Sequence, residues 1–403
     1  MQRHLTTPRR AIVLAAAATV LGLSALPAHA QATKPPIKVG LITPLTGPLG
    51  SYGKSQEMMI KLAVEDVNAA GGINGSPLQV DIGDSQTDPG QAVLLFRKYF
   101  NDGYFGVVGP MTGTQWETVS PLANQLNMPA VSVNAVKPGI TIKPWTIRLM
   151  PPDDTLMPEG VKAFLAANPK VKKVVITADV REASSKASAD MYAALAKQLG
   201  LEVLETVEFS SRATDMSAIA IQIKSRNPDA IFASAFPAQA MLLAKDLTVQ
   251  GVKVPILNTS ILWTGPFINN VGENGRNWNV IGFATNDAGP AGHADATIYG
   301  NLAKRAQQRA DASIGLPFNV ANWPVSYDGI LFLADAMRRA GVDGTTDPKK
   351  AREAIKNQFT GAKNFSGAFK YTFRDTGDGH IPAGVLAADV DKKVWKFSTV
   401  SGR

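Results

Sequence analysis

From Ile37 the chain alternates short apolar runs with amphipathic stretches of helical period, and past Leu149 the alternation begins again. Residues 37–43 read as a strand, 55–70 as a helix stopped by Gly71-Gly72, and 78–82 as the next strand. In that helix Ile60, Ala63, Val64 and Val67 recur at the spacing of one buried face. Asp88-Pro89 opens a further helix, because Asp accepts a first-turn N–H and Pro sits where no N–H is needed. A strand at 105–108, a helix at 115–126, a strand at 130–133 and a last run at 146–149 complete the series. Short strands separated by helices connect by right-handed βαβ crossovers, and such crossovers build a parallel sheet.

In the second series Asp153 or Asp154 is expected to cap a helix running toward Asn168. Strands at 171–178, 201–209, 230–234, 254–257 and 280–284 then alternate with helices ending at Gly200, spanning 216–225 and ending at Gly251. Helices around 296–312 and 325–340 follow, and Asp347-Pro348 caps another. Residues 368–373, 384–390 and 394–398 read as antiparallel strands, with a hairpin turn at 375–379. The predicted fold is therefore α/β: two doubly wound parallel-sheet lobes joined by a multi-strand hinge. The expected boundaries are 37–148 plus 286–362 for the first lobe and 149–285 plus 363–403 for the second. Sheets of this kind bind ligands outside the carboxyl ends of their strands, where the strand order reverses.

Residues 1–30 belong to targeting. Arg3, Arg9 and Arg10 precede an apolar stretch at 11–26, and Ala28-His29-Ala30 is a small-x-small cleavage site. Sixteen apolar residues fall short of the roughly 20 that a membrane span needs. The expectation is a signal peptide cleaved after Ala30 and an exported, periplasmic protein. Arg9-Arg10 hints at twin-arginine export, although its flanks fit that pattern poorly, and the route stays open.

Composition removes several classes. With 403 residues, 45% of them hydrophobic, the chain can bury two cores and is not disordered. With no Cys there is no disulfide scaffold, thiolate metal site, Cys nucleophile or lipidated Cys. Removing three leader Arg from the 41 bases leaves 38 against 33 acids, a net charge of +5. These charges are scattered, without a basic run or interleaved aromatics, so nucleic acid is not an expected partner. After cleavage the remaining His are His293 and His380, both in polar Gly-rich settings that read as loops. No nucleophile elbow, zinc-protease motif or dinucleotide fingerprint is present. Gly47 to Ser55 imitates a phosphate loop with one residue too many, and Pro48 removes a donor. Gly377 and Gly379 stand where a calcium loop needs oxygen ligands. No catalytic residue, metal or cofactor is therefore expected.

Two loops lie where the switch-point rule puts a ligand. One is 43–53, after the first strand; the other is 109–114, Gly-Pro-Met-Thr-Gly-Thr, after the third. Both offer hydroxyls, close backbone approach and free N–H groups at a helix start, which favour an anion.

Together these segments resemble a known family. Residues 37–43 with Gly47-Pro48 and Tyr52-Gly53, then Asp66-Val67-Asn68-Ala69-Ala70-Gly71-Gly72-Ile73-Asn74-Gly75, and then Asp88-Pro89 are similar to the leucine/isoleucine/valine-binding type of periplasmic solute-binding protein. Val107-Val108-Gly109, Tyr327-Asp328 opening a helix that ends at Ala340-Gly341, and the turn Gly377-Asp378-Gly379 agree with it. The resemblance spans the mature chain. It implies a type I two-lobed protein, a monomer, that closes on a small molecule and delivers it to membrane permease subunits of an ABC importer. It also implies that the ligand carboxylate meets Thr112, Gly113 and Thr114 after strand three and Asn134 after strand four, with Val136 where a hydroxyl is usual.

The resemblance places aromatics near 179–184 and at Phe236 in the second lobe, with an acid near Ser260 for an ammonium group. The chain keeps Phe236 but shows Ala183 and Ser260 at the other two places, with no acid from Asn258 to Asn270. An unpaired buried ammonium costs several kcal/mol, so a cationic head group is not expected. Arg181 can pair with a carboxylate through its fork or lie solvated in its loop. Tyr52, Phe236 and Trp323 are candidate apolar walls, whereas Trp116 and Trp263 read as packing. The expected contact set is Ser51, Tyr52, Met111, Thr112, Gly113, Thr114, Asn134, Arg181, Phe236, Ser260 and Trp323. The function expected is capture of an aromatic or branched aliphatic carboxylate by lobe closure. A neutral branched-chain amino acid, an amide, or sensing without transport are the alternatives.

Overall fold

The first βα series folds as β1 (Ile37–Thr43), α1 (Gly50–Ala69), β2 (Leu78–Asp84), α2 (Pro89–Asn101), β3 (Gly106–Val108), α3 (Gly113–Leu126), β4 (Ala130–Ser132) and β5 (Thr146–Arg148). Its five strands pair in parallel in the order β2-β1-β3-β4-β5. The order reverses between β1 and β3, so the loops after those strands diverge and leave a crevice at the sheet edge. This computed structural model describes residues 34–210, 212–264, 267–283, 296–313 and 323–400. The leader and the cleavage site expected at Ala30, with His4, His29 and His293, lie outside the described residues.

The second series comprises α4 (Asp153–Ala167), β6 (Lys173–Asp179), α5 (Ala183–Gln198), β7 (Glu202–Phe209), α6 (Ser217–Arg226), β8 (Ala230–Ser234), α7 (Pro237–Val249), β9 (Ile256–Asn258), a 3-10 turn over Ser260–Thr264, α8 (Phe267–Asn270) and β10 (Trp278–Gly282). Then come α9 (Ala296–Ser313), α10 (Pro324–Arg339), α11 (Pro348–Thr360), β11 (Asn364–Ser366), β12 (Lys370–Phe373), β13 (Gly379–His380), β14 (Gly384–Asp389) and β15 (Val394–Val400). The second sheet runs β15-β14-β10-β9-β8-β6-β7. It is parallel from β7 through β10 and antiparallel at β14 and β15. Its parallel part repeats the topology of the first sheet, with the switch between β6 and β8. The fold is thus the doubly wound α/β pair that the alternation predicts.

Several details differ from the sequence reading: α1 starts at Gly50 rather than at 55, and His380, read as a loop residue, lies in β13 and pairs with Thr372. Asp153 does not cap α4: the cap position is Pro152, and Asp153 is buried in the first turn with its carboxylate accepting the Ser188 hydroxyl of α5. Residues 364–380 do not join the second sheet. They form a separate antiparallel sheet, β11-β12-β13, held on α10 by Phe332 against Phe365 and Phe373. Buried Asp328 of α10 accepts the N–H groups of Ala368 and Phe369 and the Tyr371 hydroxyl. Finally, the 375–379 turn is more than a hairpin end. Its Asp378 pairs with fully buried Arg148 at 2.7 Å. Arg148 also donates to the carbonyls of Ala135 and Lys137, so this ion pair braces the loop after β4.

Among the described residues no helix is long and apolar enough to cross a membrane. The core lies on both faces of each sheet: Trp116 is buried against the first, with its indole N–H donated to the Pro110 carbonyl at 2.6 Å, and Trp263 is buried beside Phe283 in the second. Both serve as packing residues.

Candidate functional site

Strand–loop–helix junctions at both switch points converge on one cavity. From the first sheet come Leu49 and Tyr52 after β1, Met111, Thr112 and Gly113 after β3, and Asn134, Ala135 and Val136 after β4. From the second come Glu182 and Ser184 after β6, Phe236 after β8, and Ser260 and Ile261 after β9. The cavity has a volume of about 50 Å³ and opens toward a cleft of about 730 Å³ that shares Leu49, Tyr52, Glu182 and Phe236 with it.

The loop after β3 shows how backbone chemistry shapes the site. Gly109 has φ +88°, and a Cβ there would lie 2.2 Å from the Ile42 carbonyl oxygen, so no other residue fits this close approach. The chain turns at once into α3, which starts with a reciprocal capping box. The Gln115 N–H donates to the Thr112 hydroxyl at 3.3 Å, and the Thr112 N–H to the Gln115 side chain at 3.4 Å.

Directly against this helix start sits the start of α5. The Glu182 carboxylate accepts the Thr114 hydroxyl at 2.7 Å and the Thr114 N–H at 3.4 Å, and it also accepts the Ser184 N–H at 3.3 Å. The Ala183 N–H donates back to the Thr114 hydroxyl at 3.0 Å. One carboxylate therefore caps two helix N-termini, one from each series, where both dipoles favour a negative charge. Burial pushes its acidity down, holding the Glu182 pKa above the usual carboxylate range despite the hydrogen bonds from Thr114 and Ser184. Among the described residues no Lys, Arg or His lies within ion-pair distance of it.

The remaining polar lining is uncharged. The hydroxyls of Ser184 (3% exposed) and Ser260 (1% exposed) are buried and have no partner. Native interiors rarely leave such groups unsatisfied unless a ligand or water completes them. The Asn134 side-chain oxygen accepts from Gln56 at 2.6 Å and Ser326 at 3.3 Å, which leaves its NH₂ as the donor end. Tyr52 stands edge-on to Phe236, with centroids 6.4 Å apart, and to Trp323 at 5.7 Å. Tyr52 and Phe236, with Leu49, Met111, Val136, Met150 and Ile261, form the apolar wall.

Measured against the expected set, Tyr52, Met111, Thr112, Gly113, Asn134, Phe236 and Ser260 line the cavity. Ser51, Thr114 and Arg181 line the outer cleft instead, and Trp323 stands behind Tyr52. Arg181 is exposed there, because the turn after β6 points its inner face through Glu182. Two expectations are thereby corrected. Thr114 cannot offer its N–H and hydroxyl to a ligand carboxylate while Glu182 occupies them. The second half does supply an acid to the cavity, from the β6 loop rather than from 258–270. The signal for it was legible: an acidic residue one position before a helix, at the second switch point, flanked by the Arg181 and Ala183 already singled out. Among the described residues no cluster of His, Cys, Asp and Glu could hold a metal ion.

Comparison with known proteins agrees with this fold. The sequence model of the family described as periplasmic binding protein matches residues 36–394. The Leu/Ile/Val-binding protein BraC3 of Rhizobium johnstonii is 26% identical over 355 residues, covering 87% of this chain and 89% of that relative. The branched-chain amino acid transporter substrate-binding protein LivJ of Streptococcus pneumoniae, solved in complex with isoleucine, superposes with a TM-score of 0.76 at 20% identity, over 90% of this chain and 99% of its own. A solute-binding protein of an ABC transporter from R. palustris, in complex with 4-hydroxybenzoate, superposes with a TM-score of 0.75 at 20% identity, over 91% of this chain and 96% of its own.

Proposed function

From the premise that this chain belongs to the periplasmic binding protein family, we propose that it captures a small solute with a branched aliphatic or aromatic body and presents it to the permease of an ABC importer. The observation that carries the reading is the cavity at the paired switch points, where the buried hydroxyls of Ser184 and Ser260 have no protein partner. Buried hydroxyls in a cleft between two sheets are completed by a ligand that touches both, and such a ligand favours the closed arrangement by its differential affinity. The apolar wall of Tyr52, Phe236, Met111 and Val136 suits a compact hydrocarbon group. The relatives support the same class, one being a Leu/Ile/Val-binding protein and two others being solved with isoleucine and 4-hydroxybenzoate.

The leader read in residues 1–30 fits export to the periplasm, where such a receptor meets its solute. The family is one of solute-binding proteins, and this function needs no catalytic step. A thermal-shift screen of the chain without its leader tests the reading, using branched-chain amino acids, aromatic acids, amides and dicarboxylates. A ligand present at a hundred times its dissociation constant stabilises the protein by about 2.7 kcal/mol. Ser260→Ala should weaken that ligand. A panel with no stabilising member would overturn the assignment.

A further inference from the structure

Glu182 occupies the place at the start of α3 that a bound anion would otherwise take, using both donors of Thr114. It is the one charged residue among the described residues lining the inner cavity, and no cation among them neutralises it. A carboxylate accepts about four hydrogen bonds, so the three contacts from Thr114 and Ser184 leave it capacity on the cavity side. The polar side chains that line the cavity with it include no charge: the buried hydroxyls of Ser184 and Ser260 and the half-buried amide of Asn134.

Resting on the binding function above, we propose that Glu182 sets the head-group specificity of this receptor. The protein provides its own carboxylate at the α3 terminus and takes a solute whose inner polar group donates hydrogen bonds, an ammonium or a carboxamide, rather than a simple organic acid. The physical ground is charge. A second carboxylate within the cavity would meet Glu182 with no cation between them, and like charges in a desolvated site repel far more strongly than in water. An ammonium or amide N–H removes the unpaired state of Glu182. A zwitterionic amino acid is compatible, because its carboxylate can turn to Ser184, Ser260 and Asn134 while its ammonium faces Glu182. The hydroxyls of Ser184 and Ser260 both donate and accept, so they serve either end of such a solute.

The test uses four ligands that share one branched body and differ in head group: 3-methylbutylamine, 3-methylbutanamide, 3-methylbutanoate and leucine, titrated calorimetrically into the chain without its leader at neutral pH. The expected order has the amine, the amide or leucine at least tenfold tighter than the butanoate. In Glu182→Gln, which keeps the shape of the cap, the preference for amine over butanoate should shrink at least tenfold. Amine-selective and amide-selective profiles separate the two donor types, and either supports the proposal. Tighter binding of the butanoate than of the amine, amide and leucine would overturn it while leaving the receptor function standing. So would an unchanged ratio in Glu182→Gln. If none of the four binds and the wider thermal-shift screen is also blank, the receptor function falls and this proposal falls with it.

Discussion

Gly113→Ala is the most informative single change, because it acts where the two βα series touch. Gly113 is the first residue of α3, after β3 of the first sheet, and an added Cβ would stand 2.1 Å from Ser184 Oγ, 3.1 Å from Glu182 Oε1 and 3.3 Å from Ser184 Cβ. The Ser184 hydroxyl could rotate and the Glu182 carboxylate could shift, but Ser184 Cβ is fixed to the backbone of α5 and moves only with it. Overpacking of this size costs about 1–3 kcal/mol, and the cost exists only when α3 and α5 are together. The closed population, and with it ligand affinity, should fall by about 5- to 150-fold, since 1.4 kcal/mol is a factor of ten. Stability of the ligand-free protein should hold or rise, because Ala is a better helix former than Gly by about 1 kcal/mol. Calorimetric titration with the best solute reads the first effect, and a urea melt without solute reads the second. Affinity within twofold of the parent would refute the view that contact between these helix starts accompanies binding. So would a loss of affinity matched by an equal loss of ligand-free stability.

Further consequences follow from buried charge. Asp153 is held up to about 7 from an ordinary 3.8 by burial, with Ser188 and Arg148 opposing and neighbouring Asp154 adding a little. Between those values the folded protein keeps a proton that the unfolded chain has released. The associated stability is full below pH 3.8 and lost as pH rises through 7. Ionised Asp153 then costs about 4 kcal/mol, so Asp153→Asn should melt higher than the parent at pH 8 and show a flatter profile between pH 4 and 7; equal melts at pH 8 would count against this. Asp378→Ala strips fully buried Arg148 of its carboxylate and should destabilise by about 3–5 kcal/mol in urea melts, with the loop at Ala135 loosened. Ser260→Ala removes a buried hydroxyl without a partner and should raise ligand-free stability by about 1 kcal/mol or more while lowering affinity; a stability loss without ligand would mean that the hydroxyl is already satisfied.

Much of this protein could be read from its residues alone. Local periodicity determines local structure: the face of Ile60, Ala63 and Val67 made α1, and Asp88-Pro89 and Asp347-Pro348 started α2 and α11 where capping chemistry requires. The double alternation also determined two parallel sheets with two switch points, and hence which loops could meet a ligand. Seven of the eleven expected contacts line the inner cavity for that reason.

Only the tertiary structure decided which side of a loop faces inward and which groups find each other across the chain. Arg181 and Glu182 are sequence neighbours, yet the turn after β6 sends one to the outer cleft and the other beneath Thr114. The partnership of Asp378 with Arg148 spans 230 residues, and nothing in the spacing announces it. Periodicity is a property of neighbouring residues and survives in any stretch of sequence. Charge compensation and hydrogen-bond completion belong to the assembled volume, so the sharing of one carboxylate by the two helix starts shows only in the fold.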